Sequence, residues 1–357
     1  MRSLVDIERT LGGQPPRLGA VLARVDVGRG HEELYRDQVP ELLRSLASQT
    51  RIESISASSA IEGITVDPAR IGRLVDGEQP IRFRDRNEQE FAGYRDAVEA
   101  IVRADPPERM SVPLILSVHR DLFRHTEARG GYLKQDDNTI VSRDVNGIAT
   151  VLFEPPPWQQ TEFLLSELVA RYNDALDQEL AHPVVLIGAF ILDFLSIHPV
   201  ADGNGRVARI LTSQALLERG YGIPRYVSVE RRIFETKNAY YDVLYQSQRN
   251  WHEGNHTIWP WVNYLVETIA DAYAAFEQRI AAEQRGQRKM TKQERVRVHI
   301  LDYAPATFSV EMLRHAFPGI SDQTIRLVLA AMRHEGLVDS DDNGRNATWA
   351  RLVPRGH

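Results

Sequence analysis

At 357 residues, with 43% of them hydrophobic, the chain has material for two or three domains and a sizeable core. A formal net charge of -6 argues against a surface that coats nucleic acid wholesale, the absence of cysteine excludes a disulfide framework, and no apolar run approaches a membrane span. The first residues lack a basic stretch followed by an apolar one, so a reducing, cytoplasmic setting is expected.

Residues 1–105 read as a mostly helical region, with Gln14-Pro15-Pro16 in an early loop. Within it, Ser54–Gly63 (SISASSAIEG) sets Ser58 and Glu62 four apart, on one side of a short helix that Gly63 ends. Arg86–Ile101 has the pattern of an amphipathic helix. A helical core over residues 106–275 follows. Its first distinctive piece, Thr139–Phe153, has β-branched runs on either side of Asn146-Gly147 and predicts a hairpin, closed by the proline run Pro155-Pro156-Pro157. His182–Ile197 is apolar on nearly every face, as in a helix buried on all sides, and Val207–Arg219 is a further helix stopped by Gly220.

Between those two helices lies HPVADGNGRVAR, His198–Arg209. A Gly-rich turn at a helix N-terminus offers unpaired N–H groups, and Gly203 and Gly205 let the backbone approach an anion without a Cβ in the way. Arg206 and Arg209, three apart, supply forked donors for phosphate oxygens. Asp202 among these donors would be repelled by phosphate unless a hard cation bridged the two, which implies Mg²⁺. His198 is the candidate general base, because its ordinary pKa lies near neutrality.

His252–His256 (HEGNH) fits a zinc-protease pattern by its letters, but Gly254-Asn255 is a poor helix interior, and the pair reads as a loop before a helix that begins near Thr257. Residues 276–292 read as a solvated helical linker. Beyond it, Gln293–Tyr303, Ser309–Ala316 and Ser321–Glu335 predict three helices, and two strands flank Asp341-Asp342-Asn343-Gly344. Residues 293–352 therefore resemble a winged helix-turn-helix, which would read DNA through Arg326, Arg333 and Arg345 or serve dimer formation or target docking. Glu335, Asp339, Asp341 and Asp342 at the same end count against DNA.

The string His198–Arg209 resembles the Fic signature HPFx(D/E)GNGRxxR, departing from it at Val200, where phenylalanine is common. The resemblance implies a mainly α fold, a Fic-type helical core with a small β-hairpin flap, here followed by the winged module. It implies transfer of AMP from ATP to a Ser, Thr or Tyr hydroxyl of a protein target, the chain itself included. By position, His198 is the base, Asp202 the Mg²⁺ ligand, Asn204 with the Gly203 and Gly205 amides the α-phosphate cradle, and Arg206 and Arg209 the β- and γ-phosphate contacts. Ser58, Glu62 and Gly63 match an inhibitory motif whose glutamate pairs with the second signature arginine, Arg209. The hairpin would lay a target segment across the site. Two other readings stand beside this one: a DNA-binding regulator or interaction module with an ATP-sensing site, and AMP removal using Glu62.

Overall fold

The computed structural model describes residues 2–76, 82–143, 149–289, 291–317, 319–340 and 348–352. They cluster into two units, Met1–Phe276 and Glu277–His357, so the N-terminal helical region and the helical core belong to the same unit.

The first unit begins with two short helices, α1 (Arg2–Val5) and α2 (Ile7–Leu11), followed by α3 (Leu18–Gln38), α4 (Pro40–Ile61), α5 (Pro68–Asp76), α6 (Arg86–Arg103) and α7 (Val112–Leu122). A hairpin of β1 (Ile140–Arg143) and β2 (Ala149–Phe153) pairs Ile140 with Phe153, with a bulge beside Ile140. The expected turn at Asn146-Gly147 lies outside the described residues. Then come α8 (Thr161–Asp177), α9 (Pro183–Ile197), α10 (Asn204–Glu218), α11 (Val229–Glu235), α12 (Lys237–Gln248) and α13 (Trp259–Lys289).

Helix α9 is the axis of this unit. Pro183 opens it at a position where a missing N–H costs nothing, and every residue from Val184 to Ile197 is buried. Its one ionisable residue, Asp193, accepts from Ser3 N (3.0 Å), Ser3 Oγ (2.6 Å) and Trp251 Nε1 (2.7 Å). The N-terminal turn is thereby tied into the core, since a buried carboxylate is tolerated only when its oxygens are matched. α8 and α10 pack on α9, and α4 packs on α6 and α11.

The second unit holds α14 (Lys292–Val298), extended by a π turn at His299–Tyr303, then β3 (Thr307–Ser309), α15 (Val310–Ala316), α16 (Asp322–His334), β4 (Val338–Ser340) and β5 (Thr348–Arg351). The strands form an antiparallel sheet in the order β3-β5-β4. Its core includes Val296, Ile300, Phe308, Leu313, Ile325, Leu329, Met332 and Val338. Thr291 and Glu294 make a reciprocal capping box, and Ser309 and Ser321 cap α15 and α16. Asp341-Asp342-Asn343-Gly344 and Arg345 lie outside the described residues.

Two expectations change. The helix bearing Ser58 is not short: Ser58 lies in the last turn of a 22-residue helix, and Glu62 is its C-cap residue. The stretch read as a helical linker is helical from 276 to 289, as the continuation of α13, which runs unbroken from Trp259 to Lys289. Strand β3 was hidden in Thr307–Ser309, three residues too few to show a period.

Candidate active site

The loop 198–203 joins two core helices, and its shape is fixed by the side chains around it. His198 caps α9 in the left-handed conformation (φ 50°), with its N–H on Phe194 O at 2.9 Å. Nδ1 lies 3.2 Å from the Leu195 carbonyl, which can only accept, so Nδ1 carries the proton and Nε2 keeps its lone pair. Burial, reinforced by the Lys134 ammonium, pushes the His198 pKa down to about 4. The imidazole is therefore neutral near pH 7, as a proton acceptor must be.

Asn204 clasps the loop: its Oδ1 accepts from Val200 N (3.0 Å) and its Nδ2 donates to Val200 O (2.7 Å). The carboxamide expected in the phosphate cradle is thus turned onto the loop backbone, leaving the helix-start amides for an anion. Val200, where the signature has phenylalanine, is wholly buried. Lys134 binds the loop from the hairpin side, its N–H on Pro199 O (2.9 Å) and its Nζ on Ile197 O (3.2 Å), Pro156 O (3.1 Å) and Asn138 Oδ1 (2.9 Å). Asn138 Nδ2 continues the seam to His198 O and Val200 O. Burial brings the Lys134 pKa down to about 8. On the opposite side, His119 accepts from Gly131 N through Nδ1 at 3.0 Å, and burial pushes its pKa down to about 4.

Gly203 caps α10 at φ 85°, with Leu122 and Phe123 so close that a Cβ would lie 2.9 Å from Leu122 Cδ2. Arg206 lies in the first turn of α10 and Arg209 in the second, and both are buried, at 3% and 4% exposure. Each guanidinium faces a carboxylate, Arg209 the expected Glu62 and Arg206 the unexpected Glu90. Arg206 Nη1 is 2.5 Å from Glu90 Oε2, and its guanidinium lies over the Phe123 ring. Arg209 donates from Nε to Ser58 Oγ (2.8 Å), and from Nη2 to Ser58 O (3.2 Å) and Glu62 Oε1 (2.8 Å). Burial pushes the Glu62 carboxyl up, but Arg209, with Arg206 and Lys237, outweighs it and holds the group below its ordinary pKa. Gly63 follows at φ 76°, and Lys237 Nζ caps the Ile61 carbonyl, fixing the end of α4.

Donors, space and charge fit a nucleotide. Among the described residues, Arg206 Nε and Arg209 Nη1 are buried without a hydrogen-bond partner. Beside Gly205, Glu62 Oε1 lies only 2.7 Å from where a Cβ would stand, so the carboxylate sits against the start of α10. Asp202 is exposed, 3.6 Å from both Arg206 and Arg86, and a single carboxylate next to a phosphate site suits Mg²⁺. The pair His252 and His256 lies in turns and is drawn apart, to Glu154 O and to Ser3 Oγ. Glu90, Lys134, Asn138, His119 and Lys237 went unnoticed in the sequence, each being remote in the chain from the loop it serves.

Residues 109–216 match the family model described as Fic/DOC family. That segment is similar to a Fic domain. Among curated proteins it is 24% identical over 243 residues to Protein adenylyltransferase Fic of Nematostella vectensis, covering 65% of this chain and 51% of that one. It is 26% identical over 174 residues to Protein adenylyltransferase and cysteine protease IbpA of Histophilus somni (strain 2336), covering 48% of this chain and 4% of that protein. The chain thus spans about half the length of the first of these relatives and a small part of the second. Among solved structures, a Fic family protein from Desulfovibrio desulfuricans G20 superposes with TM-score 0.62 at 22% identity, over 96% of this chain and 98% of that one. Fic-1 from C. elegans gives 0.54 at 19% identity, over 75% and 73% of the two chains. These likenesses show that the Fic fold extends beyond the matched segment. Among the described residues no helix is long and apolar enough to cross a membrane.

Proposed function

We propose that this protein transfers AMP from ATP to a hydroxyl of a protein, itself included, and that Glu62 restrains the reaction. His198 Nε2 takes the proton of the hydroxyl as its oxygen bonds to the α-phosphorus. The bond from that phosphorus to the bridging oxygen breaks, and pyrophosphate leaves. Arg206, Arg209 and the amides at the start of α10 stabilise the charge that builds on the leaving group. Mg²⁺ on Asp202 would neutralise phosphate charge. Residues Ser58, Glu62 and Gly63 act as a brake. The observation that carries this reading is the Glu62–Arg209 pair at 2.8 Å: it occupies a phosphate ligand and places negative charge where ATP brings more. The same carboxylate, once off Arg209, suits positioning of a water for AMP removal, the reverse reading.

The test is incorporation of label from α-labelled ATP with Mg²⁺, comparing wild type, Glu62→Gly, and Glu62→Gly with His198→Ala. Label should rise strongly in the single variant and vanish in the double. No label in any of the three would overturn self-modification.

For the second unit we propose a winged-helix module, supported by its three helices and a sheet ordered β3-β5-β4. Three of its arginines face acids: Arg297 with Glu335, Arg314 with Asp322, and Arg333, a candidate DNA contact, with Asp339 at 3.1 Å. With Arg333 so engaged, contact with a protein target or a second copy suits the module better than DNA. A mobility-shift assay over a salt series tests this; sequence-specific binding at physiological salt would restore the DNA reading.

A further inference from the structure

Helices α4 and α6 meet along two facing stripes. On α4 the stripe runs Arg51, Ser54, Ser58, Glu62, and on α6 it runs Glu90, Tyr94, Val98, Val102, each with helical spacing. At one end the stripes deliver Ser58 and Glu62 to Arg209, and Glu90 to Arg206. Toward the other end they enclose a cavity of about 250 Å³, closed by a 3-10 turn at Ile223–Arg225. The two walls are therefore the helices that hold both resting carboxylates, and Arg51 stands ~16 Å along the helix axis from Glu62.

The lining has a definite chemistry. Val98, Val102 and Pro224 make it apolar, while Arg51, Arg103 and Arg225 bring three guanidinium groups beside Glu99, Arg51 also reaching Asp76 at 3.1 Å. Glu99 is shared by Arg51 and Arg103, at 3.1 Å each. Among the described residues, Thr50 Oγ1 and Arg51 Nε, on the same wall, are buried with no hydrogen-bond partner. Unmatched polar atoms are uncommon in a settled helix interface, and an unmatched guanidinium nitrogen beside an apolar floor matches an anion with an apolar body.

We propose that this cavity is an effector site for a small organic anion, an apolar body bearing one phosphate or carboxylate, and that filling it draws Glu62 off Arg209. The proposal rests on the reading of Glu62 as a brake. A ligand shifts an equilibrium only by preferring one state, and a body lodged between two helix faces prefers the state in which they stand further apart. Because Ser58 and Glu62 lie on the displaced face, widening at Arg51 is felt at the phosphate arginines.

The test uses the full chain and phenyl phosphate as probe, followed by titration calorimetry and by hydrogen exchange of the amides of residues 61–63. Saturable binding is expected, weakened about tenfold or more by Arg103→Ala and by Arg225→Ala, and tightened rather than weakened by Arg209→Ala, which removes the contact that binding must break. Exchange at 61–63 should quicken when the probe is bound. Ala47→Leu, which narrows the cavity without touching charge, should also weaken binding. No saturable binding overturns the proposal, as does binding lost in Arg209→Ala but kept in Arg103→Ala, which would put the probe in the phosphate cradle. Equal binding of inorganic phosphate, or of benzyl alcohol, overturns the ligand class, and slower exchange at 61–63 overturns the direction. If AMP transfer is wrong, Glu62→Gly stays unlabelled while these binding and exchange readouts are unaffected.

Discussion

Gly205→Ala should release the Fic site without altering Glu62 itself. The new methyl would lie 2.7 Å from Glu62 Oε1 and 3.4 Å from Arg209 Nη1. The second distance is ordinary contact, but the first requires the carboxylate oxygen to retreat by about 0.7 Å. Its hydrogen bond to Arg209 starts at 2.8 Å, so such a retreat stretches it to the limit of hydrogen bonding. A charge-assisted bond of this kind contributes roughly 1.5–3 kcal/mol, and losing about half of it shifts the population of the restrained state about tenfold. The helix does not suffer, since alanine inside a helix is favoured over glycine by about 1 kcal/mol. Incorporation of α-labelled ATP should therefore rise about tenfold with an unchanged or raised thermal midpoint. In a Glu62→Gly background the same substitution should add nothing, because the two changes remove one interaction. Label that falls in both backgrounds would refute the reasoning, showing that the methyl obstructs the phosphates rather than displacing the carboxylate.

Lys134→Met keeps the length of the side chain but strands the acceptors on Ile197, Pro156 and Asn138; the thermal midpoint should drop by several degrees for a loss of roughly 2–3 kcal/mol, and label in a Glu62→Gly background should fall with it. Glu90→Ala leaves the Arg206 guanidinium buried without its partner and should cost about 3 kcal/mol in denaturant unfolding, with Glu90→Gln losing less. His119 is held neutral with a pKa of about 4, so the unfolded chain binds more protons between that value and about 6.5, and stability rises with pH across this window. Between pH 7 and pH 5 this one group should remove about 2 kcal/mol, read as a lower denaturant midpoint, and His119→Gln should flatten the dependence.

The legible part of the site was the contiguous part. His198, Asp202, Gly203, Gly205, Arg206 and Arg209 fall within one string whose spacing alone describes a loop opening a helix, and Ser58 and Glu62 share a face by counting residues. What the string conceals is what it touches. Glu90 lies 116 residues from Arg206, in an Arg-Asn-Glu-Gln-Glu run that reads as a solvent face until the fold buries it to 6% exposure. Lys134 and Asn138 look like loop residues, and nothing local says that two backbone carbonyls and an amide oxygen converge on an ammonium. Asn204 hid a second role for a related reason: a carboxamide at a helix start can also hold its own loop, and only the fold shows its 2.7 Å bond to Val200 O.

The proposed restraint by Glu62 has a structural counterpart. A guanidinium cannot shed its proton, so Arg206 and Arg209, almost fully buried, need counter-charges. Glu90 from α6 and Glu62 at the end of α4 supply them, so the proposed brake would also stabilise the fold. It follows that Glu62→Gly should be both more active and less stable. Without nucleotide its thermal midpoint should lie below that of wild type, by the equivalent of about 2–3 kcal/mol, since Ser58 still accepts from Arg209 and cushions the loss. Mg²⁺ with a non-hydrolysable ATP analogue should recover most of that difference in Glu62→Gly while shifting wild type little, because only the variant offers the analogue an uncontested Arg209. Equal shifts in the two proteins would mean that Glu62 and the nucleotide do not compete for the same arginine.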